Sequence, residues 1–214
     1  MITDHRPSRG KLRREYDASY SQVKIRTPSS EILKPMFEML TVAIDGEDAT
    51  KLKQVCAQFL GAFSSFYGIP TPSLKLLGPR PHATLEGRLA SELFGDYHIE
   101  QARIRLWTRT AIKKQWTSSK TVLSTLCHEF MHHLDVTHLR FAHSFHTLGF
   151  FERTHRLYLA AIGHPCYRLV WRQIGPPFVE DVRPIDWPEI IWAIDRPKTD
   201  QRKAKVSARA EFNK

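Results

Sequence analysis

With 214 residues, 42% of them apolar and 11% aromatic, the chain can bury one full core, and a single domain is expected. No run approaches the roughly 18 apolar residues of a membrane span, the first 26 residues hold no apolar signal core, and the three scattered cysteines (Cys56, Cys127, Cys166) build neither a disulfide framework nor a cysteine-rich zinc site. The net charge of +10 gathers at the ends: residues 1–26 hold seven Lys/Arg against three acids, and residues 196–214 hold seven against two.

These ends are read as basic, solvated arms able to meet nucleic-acid phosphates, flanking a domain at 27–195 whose charge is close to neutral. The address implied is cytoplasmic, with no membrane contact.

In chain order, Ser29–Val42 reads as a helix, followed by an acidic turn at Asp45–Asp48. A second helix, Asp48–Tyr67, sets Leu52, Val55, Cys56, Phe59, Leu60, Phe63 and Phe66 on one apolar face, and Gly68-Ile69-Pro70 stops it. Short strands follow at Ser73–Leu77 and Glu92–Tyr97. Arg103–Arg109 alternates, with Ile104, Leu106 and Thr108 on one side and three arginines on the other, the pattern of a half-buried strand. So charged a second face suggests an edge strand. A helix capped by Thr117, Ser118 or Ser119 then spans Lys120–His138, and another spans Gly149–Ile162. The proline-rich remainder reads as extended, with a short aromatic piece at Trp187–Ile194. The class is α+β.

The chemistry lies on the helix after residue 119. At about 100° per residue, His132 falls about 40° from His128, and Asp135 about 20° to its other side. Val122, Leu123, Leu126, Cys127, Phe130, Met131 and Leu134 fill the remaining arc. Two imidazoles one turn apart can reach one metal ion. Glu129, about 100° round, stands beside that ion without ligating it, where a carboxylate can take a proton from zinc-bound water. Seven of the eleven histidines lie between residues 128 and 155. A third ligand is needed, and spacing leaves His138, His143, His146, Glu152 and His155 open. Asp135 is either a carboxylate that orients a ligand imidazole or a solvated helix-end acid. His133 points away from His132 and is read as structural or surface. Arg153, His155, Tyr158 and Tyr167 are candidate donors to an oxyanion.

The run His128-Glu129-Phe130-Met131-His132, followed by His146-Thr147-Leu148-Gly149-Phe150, resembles the SprT-like group of small zinc metallopeptidases. These pair a His-Glu-x-x-His helix with a third histidine from a His-Gly-x-x-Phe-type segment; here the glycine stands three residues after the histidine. The resemblance spans about residues 48–165. It implies a minimal gluzincin-type zincin domain: a small mixed sheet with an edge strand over the metal helix. It also implies Zn²⁺ held by His128, His132 and His146, with His143 and Glu152 in reserve, and Glu129 as the catalytic base. The expected activity is hydrolysis of a protein or peptide substrate. Two rivals stand beside it: a zinc hydrolase of small amides or acyl compounds, and a non-enzymatic, metal-stabilised nucleic-acid-binding protein.

Overall fold

The structure is a computed structural model that describes residues 3–85, 88–169, 171–173 and 180–181. Of these, residues 3–168 belong to one unit. Its elements are α1 (Gly10–Ser21), α2 (Ser30–Asp45), α3 (Ala49–Tyr67), β1 (Ser73–Pro79), β2 (His82–Leu85), β3 (Arg88–Glu92), β4 (Gly95–His98), β5 (Arg103–Arg109), α4 (Ser119–Leu134) and α5 (Leu148–Ile162). The class is α+β, as expected. Among the described residues, no helix is long and apolar enough to cross a membrane. In the second unit, β6 (Arg172–Gln173) pairs antiparallel with β7 (Glu180–Asp181). The aromatic piece at 187–194 and the basic tail at 196–214 lie outside the described residues.

Local signals set the helix ends. Ser29 caps α2 by accepting from the Glu31 amide, Asp48 caps α3 from Lys51, and Ser118 caps α4 from Thr121. Gly68 closes α3 at φ 65°, the left-handed turn that glycine adopts without steric cost. The apolar face of α3 is buried from Leu52 through Phe63. Phe66, expected on that face, is 39% exposed, with the Arg26 guanidinium 5.8 Å over its ring.

The main sheet has the order β1-β5-β4, parallel between β1 and β5 and antiparallel between β5 and β4. This corrects the edge assigned to residues 103–109, because β5 is the central strand. Its arginines each have a neighbour: Arg105 forks onto the Asp96 carboxylate directly across the ladder, Arg103 bonds Gln101, and Arg109 lies 4.8 Å over the Trp116 ring. Alternation therefore located the faces correctly, with Ile104, Leu106 and Thr108 buried, but pairing decided which strands are edges. These are β1 and β4, and β4 lies against α4.

Residues 1–26, read as a solvated arm, contain a second departure. Gly10–Ser21 is helical and buries Tyr16 and Ser19. What holds α1 comes from far along the chain. Arg153 of α5 donates to the carbonyls of Ser19 (3.0 Å) and Gln22 (2.7 Å), and Arg156 donates to that of Val23 (3.1 Å). These donors satisfy backbone acceptors that a helix end leaves open. Asp17 neutralises Arg6 and Arg13. The contact is close: a Cβ at Gly149, in the first turn of α5, would lie 1.9 Å from the Ser19 carbonyl oxygen and 2.8 Å from that of Tyr20.

Gly149→Ala is therefore expected to destabilise the protein by about 1–3 kcal/mol, as other overpacked contacts do. Urea unfolding measures this, and a wild-type midpoint would contradict the docking of α1 on α5.

Candidate metal centre

Helix α4 brings His128 and His132 to one side, one turn apart, and the loop between α4 and α5 carries His146 up to them. A ligand atom from each lies within 4.8 Å of the others. His128 Nε2 and His146 Nε2 are 3.1 Å apart, close to the about 3.3 Å that separates two nitrogens on a tetrahedral ion with bonds of about 2.0–2.1 Å. The donor set thus fits a metal ion. Phe150 forms a common backing, its ring centre 5.0, 4.6 and 5.1 Å from the rings of His128, His132 and His146. Burial favours uncharged imidazoles, the form that ligates: His128 is pushed down to about 3, with His146 adding to the shift, and His132 is held well below its ordinary value.

One imidazole is hydrogen-bonded from behind, and a carboxylate stands behind another. Ser144 Oγ donates to Asp135 (3.2 Å), so the His132 Nδ1–H donates to Ser144 Oγ (2.9 Å), which leaves Nε2 with its lone pair toward the centre. Asp135 is fully buried and takes both bonds, each 2.9 Å, from Arg153 Nη2. Burial raises its carboxyl above the usual carboxylate range, and the charge and hydrogen bonds of Arg153 oppose that shift. Of its two sequence readings, orienting carboxylate and solvated helix-end acid, the structure places Asp135 in the first position, one hydroxyl removed from His132. Regular α-helix ends at Leu134, four residues before the expected end, and a wider π-helical turn, Asp135–Leu139, follows. Ser144 sits at φ 42°, a left-handed strain of about 1–2 kcal/mol, where its hydroxyl meets both partners. Behind His146, Asp4 accepts from the residue's backbone amide (2.8 Å), with Oδ2 3.6 Å from Nδ1.

Glu129 is 5% exposed and shares a cleft of about 450 Å³ with the three histidines. Burial, then the charge of Asp96, raises its carboxyl to about 8; a dication at the imidazoles would oppose that shift. Edge strand β4 walls the cleft with Gly95, Asp96 and Tyr97. Gly95 permits the approach, because a Cβ there would lie 2.6 Å from Thr125 Cγ2 and 2.9 Å from Glu129 Oε1. Across this contact, His133 Nε2–H donates to the Pro70 carbonyl and Tyr97 O–H donates to His133 Nδ1, each 2.8 Å. His133 is structural, as expected, and pins β4 to α4.

The other candidates do not join the three histidines. His143 lines the cleft but bonds outward to Glu15 by its amide (2.7 Å) and Nδ1 (3.0 Å). His138 lies against Tyr67, and His155 against Tyr167. Glu152 is buried in α5 and does not join the three histidines. Arg153 is committed to Asp135, and neither Tyr158 nor Tyr167 lines the cleft. Sequence reasoning missed Asp4 and Ser144, which carry no motif. A lone glycine in a strand was the available sign for Gly95.

Adding zinc at about 100 times its dissociation constant should stabilise the metal-free protein by about 2.7 kcal/mol, a rise in Tm of about 5–10 °C. Differential scanning calorimetry checks this, with reversal by chelator and loss in His128→Ala as the matching outcomes.

No protein-family model, curated protein or solved structure matches the chain.

Proposed function

We propose that the protein is a zinc-dependent metallopeptidase of the SprT-like, zincin kind. The observation that carries this reading is one cleft holding three converging imidazoles and a buried glutamate beside an edge strand. Three neutral nitrogen donors suit zinc, and three protein ligands leave a position for reactants, as catalytic zinc sites do. Among the described residues no fourth donor joins the set, which argues against a closed structural site and the nucleic-acid-binding rival. A bound zinc ion supplies Lewis acidity to a carbonyl and lowers the pKa of water.

The chain's own residues supply the rest. Glu129, beside His128 and off the ligand line, takes the proton of the attacking water and passes it to the leaving amine. Strand β4 pairs on one side only, with β5; its other edge offers backbone donors and acceptors to an extended peptide. Asp135 acting through Ser144 keeps His132 in the ligating tautomer, and Phe150 excludes water from behind the imidazoles. The cleft runs open along β4, which favours a peptide over the small amide of the other zinc-hydrolase reading.

Glu129→Gln should retain stoichiometric zinc and lose about 100- to 10,000-fold in peptide hydrolysis. A casein or fluorogenic-peptide assay on zinc-loaded protein reads this; wild-type turnover by the variant would overturn the role of Glu129.

A further inference from the structure

The third ligand is the one imidazole not carried by α4. His146 sits in the loop 140–147 with its side chain 34% exposed, and Arg140 and Ser144 of that loop have φ values of 65° and 42°. Such a loop needs an outside hold to keep one conformation. The segment ahead of α1, with α1 itself, supplies that hold at several points. Asp4 and His146 are joined by paired bonds: the Asp4 amide donates to the His146 carbonyl (2.9 Å), and the Asp4 carboxylate accepts from the His146 amide (2.8 Å). Glu15 grips His143, and Ser19 Oγ meets Thr147 Oγ1 at 2.9 Å. Asp4 is itself fixed, since Tyr16 O–H donates to its carbonyl (3.1 Å) and Arg6 forks onto Asp17 of α1.

We propose that Asp4 is the positioning residue for the third metal ligand, and that Thr3–Ser21 forms a clasp that completes the metal centre. The inference rests on the metal-centre reading. Its physical basis is that a carboxylate behind an imidazole fixes the ring and strengthens its basicity. Asp4 Oδ2 lies 3.6 Å from Nδ1, on the far side of the ring from the Nε2 that faces His128. Metal affinity is therefore set by a residue 142 positions from the ligand it serves.

The test is zinc affinity of the full chain, read by competition with a chromophoric chelator, for wild type, Asp4→Ala, Asp4→Asn and His146→Ala. Asp4→Ala should bind zinc about 10- to 100-fold more weakly. Asp4→Asn keeps an acceptor for the His146 amide but not the charge, and should show a smaller loss. Asn is isosteric with Asp, so it decides the matter if the alanine variant fails to fold. Urea midpoints of the metal-free proteins separate a merely structural role, which would lower the midpoint and leave affinity unchanged. Affinities within about twofold of wild type for both variants would overturn the clasp. Absence of zinc binding by wild type would instead overturn the metal centre itself.

Discussion

Arg153 and Asp135 lie fully buried at 2.9 Å, and four separate parts of the chain meet on that ion pair. The carboxylate closes α4, the guanidinium rises from α5, the carbonyls of Ser19 and Gln22 bring in the end of α1, and Ser144 of the loop between α4 and α5 donates to the same carboxylate. Two charges taken from water cost several kcal/mol each, and only dense hydrogen bonding offsets that. Here both carboxylate oxygens and both terminal guanidinium nitrogens are engaged. Loss of one partner would strand a charge in the core, so the elements that meet on the pair stand or fall together.

The candidate site inherits its rigidity from this hub. His132 is oriented through Ser144, and Thr147, which caps α5 through the Phe150 amide, is held by Ser19. One side of the cleft is apolar: Phe150 contacts all three imidazoles, and burial favours the uncharged forms of His128 and His132. The other side is a strand edge able to bond an extended chain. Glu129 stands where the two meet, buried enough to raise its carboxyl and close enough to the imidazoles for a dication to draw it back down.

Much of this was legible in the sequence, and the division has a physical cause. His128, Glu129 and His132 share one helix, where the 3.6-residue period fixes relative directions, so their disposition could be derived. The core face of α3 and the buried face of β5 follow from the same kind of periodicity. His146 could not be singled out by spacing, because a loop has no period; it was singled out by resemblance. The central place of β5 was hidden because alternation reports faces, and strand order depends on partners such as Asp96. Helix α1 was hidden because its stabilisation is non-local: Arg153 takes the Ser19 carbonyl of its last turn, and Arg153 and Arg156 take the Gln22 and Val23 carbonyls just beyond it, so its own composition shows only charge. Asp4 and Ser144 each act through two hydrogen bonds to residues outside their own local segment, and no local pattern announces such contacts.

The most direct test of the central claim is anomalous diffraction at the zinc edge from crystals of the zinc-loaded protein. One strong peak is predicted at about 2.0–2.1 Å from Nε2 of His128, His132 and His146, with Glu129 outside bonding distance. A peak on another set of residues, or none at these three histidines, would contradict the account.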